Sequence, residues 1–258
     1  MKPGFKYLAI SFLAAAASLF CAPGSGRAAT IWNVPILMYH YIETAPATTA
    51  LPGLYVPPAI FEDQLRLISQ HKYNTLFISE LASAIHNDST LPSCSLALSF
   101  DDGYEDFYTQ AFPRLKAYSL KGTLYVIINR LDTPGYLTRQ QVREMAESGL
   151  VEIGSHTFNH PDLRAKKLKD ADFEIRYSRE ELAKISGRPV TTLAYPYGYF
   201  NEIDEGLASS SGYLAAVSVN PGALQDKSDL WALKRLRPGQ RTGAEFITWL
   251  DRWFKAKH

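Results

Sequence analysis

Short apolar segments alternate with amphipathic helical segments along most of this 258-residue chain, and this alternation limits the fold more than any other feature. Strands that alternate with helices through short loops favour a parallel sheet. The chain must cross back over the sheet between two parallel strands, and a helix has the length for that crossover. Seven or eight such units in one chain of this size favour an α/β barrel over an open sheet. The predicted strands are Pro35–Tyr39, Thr75–Ile78, Leu96–Phe100, Thr123–Ile128, Val151–Gly154, Thr192–Tyr195, Leu214–Val219 and Leu233–Leu236.

Helical segments are predicted between and after these strands. In the first of them, Phe61, Leu65 and Ile68 lie on one face of the helix. Residues 43–58 are rich in Pro, Ala and Thr and are predicted to form a loop. The other predicted helices cover residues 138–148, 166–186 and 243–255.

The first 29 residues have the composition of a cleaved leader. Lys2 and Lys6 flank the start of an apolar stretch, Tyr7–Phe20, and small residues follow it. This order is typical of a secretory signal peptide, and an uncleaved membrane anchor is the alternative. We expect residues 1–29 to be removed and residues 30–258 to form one catalytic domain. The mature chain is then exported to the periplasm, cell surface or medium, with no stable membrane span.

Charge and cysteine content narrow the classes of partner. Loss of the three basic residues of the leader changes the formal net charge from +1 to −2. A nearly neutral chain of this kind argues against a nucleic-acid partner or an anionic membrane surface. Only Cys94 remains after cleavage, so no intrachain disulfide is expected, which is compatible with a bacterial periplasm or cell surface. The oligomeric state is open, with a monomer favoured.

Carboxylates and imidazoles follow two of the predicted strands. Asp101 and Asp102 come directly after Leu96–Phe100, and His156 and His160 follow the strand that begins at Val151. Adjacent residues at a strand end point in different directions, so one carboxylate can bind a metal while the other faces water. Two histidines four residues apart supply nitrogen ligands to one point. The pattern indicates a metal-dependent hydrolase; an exposed acidic turn and a pair of loop histidines are the alternatives.

The segments Ser99–Gly103 (Ser-Phe-Asp-Asp-Gly) and Ser155–Pro161 (Ser-His-Thr-Phe-Asn-His-Pro) resemble the first two motifs of the polysaccharide deacetylases. This family is the NodB-homology domain of carbohydrate esterase family 4. The resemblance covers about residues 32–254 and includes Pro35–Tyr41 and Ala194–Gly198. The Met-Tyr-His opening is similar to the branch that acts on poly-β-1,6-N-acetylglucosamine. It implies a distorted (β/α) barrel of about seven parallel strands, related to the TIM barrel.

The resemblance also implies roles for individual residues. Asp102, His156 and His160 are the implied ligands of a divalent metal, usually Zn²⁺, although such oxygen and nitrogen ligands also accept Co²⁺ or Ni²⁺. Asp101 is the implied general base. Tyr197 is expected to offer its backbone N–H to the oxyanion that forms during acyl transfer. Without the other motifs, the Tyr-Pro-Tyr-Gly segment would be interpreted as a simple loop turn.

The chain departs from the family pattern at two places. Many members carry an arginine before the third motif that orients the base, and Ala194 stands near that position. Arg235 resembles an arginine of the Met-Tyr-His branch and is expected to reach Asp101. Many members also have a late Leu-x-His motif that supplies the general acid, which is missing here. We expect His40 to take that role, and packing of His40 against the loop at 43–58 is the alternative.

The resulting prediction is an exported, metal-dependent enzyme that removes N-acetyl groups from an N-acetylglucosamine-containing polysaccharide and releases acetate. The polymer is predicted to be like poly-β-1,6-N-acetylglucosamine, chitin or peptidoglycan. One alternative is an O-acetyl esterase acting on xylan or another glycan, because the same apparatus cleaves acetyl esters. The other is a non-catalytic glycan-binding module, which predicts loss of Asp101 or of a metal ligand.

Overall fold

The computed structural model describes Met1 and residues 30–255, so the predicted signal peptide lies outside the described residues except for Met1. Seven strands form a parallel sheet, and a short antiparallel pair, β1 and β9, lies beside it. The strands are β1 Trp32–Asn33, β2 Ile36–Tyr39, β3 Asn74–Leu76, β4 Ser95–Phe100, β5 Gly122–Val126, β6 Val151–Ser155, β7 Thr192–Ala194, β8 Ala215–Val217 and β9 Leu224–Gln225.

Helices connect successive strands, as the alternating pattern predicts. Two segments are π-helical. Phe107–Ala111 continues directly into the α-helix that follows it, and Phe173–Tyr177 joins two α-helices. The α-helices of the described residues are α1 Pro58–Gln70, α2 Ile78–His86, α3 Phe112–Tyr118, α4 Arg139–Glu147, α5 Leu168–Asp172, α6 Ser178–Ser186, α7 Glu202–Ser210 and α8 Gly243–Phe254. Within the part of the chain that the structure describes, no helix is long and apolar enough to cross a membrane.

The sheet runs in the order β2, β4, β5, β6, β7, β8, with β3 paired to the first half of β4. Every neighbouring pair is parallel, so the carboxyl ends of these strands lie at one edge. Tyr39, the last residue of β2, lies opposite Phe100, the last residue of β4. Residues that follow these two strands are therefore brought next to each other.

The segment at 233–236 joins the two ends of this sheet. The N–H of Leu233 donates to the Ala216 carbonyl oxygen of β8 (2.9 Å), and the N–H of Leu236 donates to the Ile36 carbonyl oxygen of β2 (2.8 Å). Only isolated parallel bridges form there, so the predicted strand Leu233–Leu236 is not a regular strand. The segment instead closes an irregular barrel, and the predicted distorted (β/α) barrel of parallel strands is confirmed.

Two further predictions of local structure need correction. The predicted strand Thr75–Ile78 ends at Leu76, and α2 begins at Ile78. The N–H of Phe77 donates to the Glu80 carboxylate and caps the helix. The helix therefore begins at a position where the apolar run predicted that the strand would continue. The predicted helix over 166–186 is divided by the π-helical segment Phe173–Tyr177.

The apolar core has two parts because alternate residues of each strand point to opposite faces of the sheet. On one face, Leu37 and Leu98 pack with Phe61 and Leu65 of α1. On the other face, Ile36 packs in a smaller cluster whose other strand residues include Ala97, Tyr125, Ala194 and Val217. Polar residues near the carboxyl ends of the strands continue this second face, and they form the site described next.

Candidate active site

The polar residues singled out in the sequence converge at the carboxyl edge of the sheet. They line one open cavity of about 530 Å³. They follow four different strands, β2, β4, β6 and β7, so the barrel brings together residues far apart in sequence. The predicted site residues that line the cavity are His40, Asp101, Asp102, His156, His160 and Tyr197. Arg235, the remaining predicted residue, lies buried behind Asp101.

The two adjacent aspartates point to different partners because the backbone changes direction between them. The N–H of Asp101 donates to the Tyr39 carbonyl oxygen (3.0 Å), which continues the pairing of β4 with β2. Asp102 has a left-handed backbone, with φ of 75°, and Gly103 follows with φ of 74°. A non-glycine residue with a left-handed backbone is strained by on the order of 1–3 kcal/mol. Such conformations are often found at functional sites.

Asp102 faces both histidines of the second motif. Its Oδ1 lies 3.4 Å from His156 Nε2 and 3.6 Å from His160 Nε2. His156 Nδ1 donates to the Ala194 carbonyl oxygen (2.7 Å), because a carbonyl can only accept. That hydrogen bond assigns the proton to Nδ1 and leaves the lone pair of Nε2 directed toward the Asp102 side.

These three side chains fit a divalent metal ion. One donor atom from each residue lies within 4.8 Å of the others. One carboxylate oxygen and two imidazole nitrogens form a donor set that suits Zn²⁺ and related ions, and three protein ligands leave a position for water or substrate. Ala194 contributes to this site through its backbone, because its carbonyl oxygen orients the ring of His156.

The charge states of the cluster are set by burial and by the carboxylates. Burial, with the neighbouring His156, lowers the pKa of His160 to about 4, so its imidazole is neutral at neutral pH. Burial also lowers the pKa of His156, but the hydrogen bond that the protonated ring donates to Asp102 and the charges of both aspartates outweigh it and raise the pKa. Burial raises the pKa of Asp102, and the bond to His156 more than reverses this, so that carboxyl stays ionised.

Asp101 is held by Arg235 and not by the metal cluster. Arg235 donates from Nη1 to Asp101 Oδ1 (2.7 Å) and from Nη2 to Oδ2 (2.8 Å). Its Nε donates to the Ser218 carbonyl oxygen (2.7 Å), which fixes the plane of the guanidinium. Burial opposes ionisation of Asp101, but the charge of Arg235 prevails and holds the pKa of that carboxyl well below its usual range.

His40 lies beside the same carboxylate. Its Nε2 is 3.8 Å from Asp101 Oδ2, and its side chain is only 13% exposed. Burial lowers the pKa of His40 despite the opposing charges of Asp101 and Asp102, so the free site holds a neutral imidazole. Three residues of the predicted loop line the same cavity: Leu51, Gly53 and Leu54. His40 therefore faces both the loop and the aspartates.

Tyr197 reaches the cavity from the turn after β7. It has φ of 61° and ψ of 0°, and its ring lies 4.5 Å from the His160 ring. Gly198 follows with φ of 73°, and a Cβ placed there would lie 2.3 Å from Val219 Cγ2. Only glycine fits that position without displacing Val219, so the turn that presents Tyr197 is tightly determined.

Some cavity residues were not predicted from the sequence. Arg130 lies beyond β5, Arg237 follows the closing segment, and the ring of Tyr136 packs with its centroid 5.1 Å from that of Tyr104, which the sequence does place near a strand end. Arg130 and Arg237 are exposed cations at the cavity mouth. The signal that would have identified Arg130 and Arg237 is their position after predicted strands, the same criterion that selected His40.

Comparison with known proteins agrees with this site. The sequence model of the polysaccharide deacetylase family matches residues 88–216. YxkH of Bacillus subtilis (strain 168), named for the same family, is 31% identical over 85% of this chain and 76% of its own length. A Staphylococcus epidermidis poly-beta-1,6-N-acetyl-D-glucosamine N-deacetylase is 26% identical over 76% of this chain and 72% of its own length.

A solved structure shows the same fold. The Streptococcus pyogenes deacetylase PplD, determined in complex with acetate, aligns with a TM-score of 0.79 and 30% identity. The alignment covers 86% of this chain and 99% of that one. The chain therefore belongs to the polysaccharide deacetylase family. Deacetylases of this family are hydrolases that act on amide bonds, which confirms the predicted enzyme class.

Proposed function

We propose that this enzyme removes N-acetyl groups from an N-acetylglucosamine-containing polysaccharide and releases acetate in a metal-dependent reaction. The observation that carries the proposal is the position of a metal-ligand cluster beside an ionised, arginine-held carboxylate in one open cavity. The name of the Staphylococcus epidermidis relative supports the polymer class, and the acetate bound by the Streptococcus pyogenes deacetylase supports the product.

Asp102, His156 and His160 would hold the metal, with Zn²⁺ preferred and Co²⁺ or Ni²⁺ as substitutes. An ion held there would supply Lewis acidity to an acetamide carbonyl and lower the pKa of water. The protein contributes a neutral imidazole at His160 and a fixed ring orientation at His156. The burial of His160 and the bond from His156 to Ala194 both serve that purpose.

Asp101 would take the proton of the attacking water. Arg235 keeps the carboxylate ionised and occupies one side of it, so the remaining lone pairs face the cavity. The backbone N–H of Tyr197 would stabilise the oxygen that gains negative charge as the water adds to the carbonyl carbon. Removal of one such donor in other hydrolases costs about 3–4 kcal/mol of transition-state stabilisation.

His40 would protonate the departing amine. It is neutral in the free site, so it must first gain a proton, and Asp101 Oδ2 is 3.8 Å from its Nε2. The proton that Asp101 takes from water can therefore pass to His40 and then to the amine nitrogen as the C–N bond breaks. Acetate and a glucosamine unit leave, and both side chains return to their starting charge.

The predicted leader and location belong to this proposal. Residues 1–29 would direct export, and residues 30–258 would act as the catalytic domain on a glycan outside the cytoplasm. A monomer is sufficient, because every residue assigned a role lies in one chain and around one cavity. No role is assigned to a nucleic acid or to a membrane.

The test is acetate release from a panel of poly-β-1,6-N-acetylglucosamine, chitin oligomers, peptidoglycan and acetylxylan. Elemental analysis of the protein reconstituted with Zn²⁺, Co²⁺ or Ni²⁺ accompanies it. We expect one ion per chain and release from at least one N-acetylated polymer. Release from acetylxylan alone would identify an O-acetyl esterase. Specific glycan binding with no release from any polymer would identify a binding module, and absence of bound metal would refute the metal site.

A further inference from the structure

The loop that carries the second histidine ligand has an unusual backbone. Thr157 and His160 both have left-handed backbones, with φ of 66° and 60°. The position of His160 Nε2 relative to Asp102 depends on this loop, since no regular strand or helix extends through it. Such conformations persist only where surrounding contacts hold them, so those contacts control the metal site.

Glu174 supplies three of these contacts. Its Oε2 accepts hydrogen bonds from the N–H groups of Phe158 (3.0 Å) and Asn159 (2.8 Å). Its Oε1 accepts a third bond, from Asn159 Nδ2 (2.8 Å). Glu174 is 4% exposed, and none of the catalytic steps proposed above uses it. A buried carboxylate therefore binds the two residues that directly precede His160.

The opposite side of the loop is held by the segment after β5. The N–H of Asn129 donates to the Phe158 carbonyl oxygen (2.9 Å), and its Nδ2 donates to Asn159 Oδ1 (2.9 Å). Within the loop, the N–H of His160 donates to Thr157 Oγ1 (3.0 Å). Asn159 is thus fixed between Glu174 and Asn129, and the backbone at His160 has little freedom left.

A π-helical turn places Glu174 at this position. Glu174 belongs to the segment Phe173–Tyr177, where the helix between α5 and α6 widens by one residue per turn. The rings of Phe173 and Tyr177 stack on each other and contact the Phe158 ring at 5.3 and 5.5 Å. The π-helical turn therefore contacts the loop through one carboxylate and two aromatic rings. Such turns occur frequently at functional sites.

We infer that Glu174 is a positioning residue of the metal site: it fixes the loop that directs His160 toward Asp102 and His156. This inference rests on the proposed metal-dependent function. It differs from a purely structural role because it predicts weaker metal binding by a protein that is still folded. Residues that orient metal ligands typically change metal affinity by roughly 10–100-fold when they are replaced.

The experiment measures Zn²⁺ affinity of the metal-free protein by competition with a chromophoric chelator. Glu174→Gln keeps the shape, but its amide group cannot accept hydrogen bonds at both ends. We expect a loss of affinity of roughly tenfold, together with an altered visible spectrum of the Co²⁺-substituted protein. Glu180→Gln is the matched control, because Glu180 is exposed in α6 and loses the same charge. Its affinity should equal that of the wild type.

Thermal unfolding of the metal-free variants separates the two roles. Unchanged Zn²⁺ affinity in Glu174→Gln, with or without a lower Tm, would overturn the inference. If that variant does not fold, Asn159→Ala removes only the Oε1 contact of Glu174 and its own bond to Asn129. A smaller loss of affinity is expected there, and none would count against the inference. A wild-type protein that binds no Zn²⁺ would instead refute the proposed function.

Discussion

Arg235 and Asp101 form a bidentate ion pair in which the two side chains are 0% and 3% exposed. Ser99 and Ser218 accept further hydrogen bonds from the same guanidinium, at 3.3 and 2.7 Å. A carboxylate next to a metal site would otherwise be free to bind the ion itself. The arginine engages both of its oxygens, which separates the roles of Asp101 and Asp102 although they are neighbours in sequence.

Arg235→Met is expected to destabilise the metal-free protein by about 3–5 kcal/mol, because it leaves a buried carboxylate without a partner. Adding Asp101→Asn should restore part of that loss, since the uncompensated charge is then removed. Urea unfolding of the single and double variants gives the coupling energy. Arg66→Met is the control, because Arg66 pairs with Asp63 at the surface and should change stability by less than about 1 kcal/mol. Independent, additive effects at the two positions would contradict the prediction.

Asp101→Asn should retain about one metal ion per chain and lose activity. The metal cluster does not include Asp101, whereas the loss of a general base lowers rates by about 10²–10⁴-fold. Acetate release and elemental analysis on the same sample test both halves. His156→Ala provides the contrast, because it should lose metal and activity together. An active Asp101→Asn enzyme would remove Asp101 from the base role.

His40→Ala should reduce hydrolysis of N-acetyl substrates more than hydrolysis of activated acetyl esters. An amine leaving group needs a proton, whereas an activated phenolate or alcohol leaves without one. The comparison is the ratio of kcat/KM for the two substrate types in wild type and variant. Equal losses on both substrates would indicate that His40 acts in binding or in orienting Asp101 and not as an acid.

Asp106 makes stability depend on pH. Burial raises the pKa of this carboxyl to about 7 in spite of the hydrogen bond that its Oδ2 accepts from the Ile42 N–H, and its Oδ1 has no hydrogen-bond partner among the residues that the structure describes. Between about pH 4 and pH 7 the folded state holds a proton that the unfolded chain has released, so stability falls as pH rises across this range and levels off above it. Asp106→Asn should gain up to about 4 kcal/mol over wild type at alkaline pH, because the pKa rises from 3.8 to about 7 and each pKa unit corresponds to roughly 1.4 kcal/mol.

The measurement for Asp106 is urea unfolding of both proteins across the pH range. Below about pH 4 the wild-type carboxyl is protonated in both the folded and the unfolded state, so the difference should be smallest there. A constant difference at every pH would show that the side chain acts through packing and not through ionisation.

Gly198→Ala should lower both stability and activity. The new Cβ would lie 2.3 Å from Val219 Cγ2, in addition to the strain of a left-handed backbone. Gly149→Ala is the matched control, because Gly149 has a similar φ of 73° and no atom within 4 Å of a new Cβ. We expect about 1–2 kcal/mol for the control and about 1–3 kcal/mol more for Gly198→Ala. Equal losses in the two variants would rule out the contact with Val219 as the cause.

The amino-acid sequence was sufficient to predict the parallel barrel and the two motifs, because apolar runs, turns and polar residues at strand ends are local patterns. The pattern alone grouped His156 and His160 with one of the two aspartates, and the family resemblance was needed to choose Asp102. The structure brings the donor atoms of these three residues together. The strand predicted at Leu233–Leu236 shows the limit of such patterns. Its apolar spacing is correct, but distortion of the barrel leaves it with isolated bridges to its neighbours.

The contacts that hold the site depend on the tertiary structure. Arg235 lies 134 residues from Asp101, and only the closure of the sheet between β2 and β8 brings the two together. Glu174 had no signal in the sequence, because two of its three hydrogen-bond donors are backbone N–H groups that any residues could supply. Local chemistry therefore determined which groups are present at the strand ends. Strand order and the path of the loops decided which of these groups are ionised, oriented and held in place.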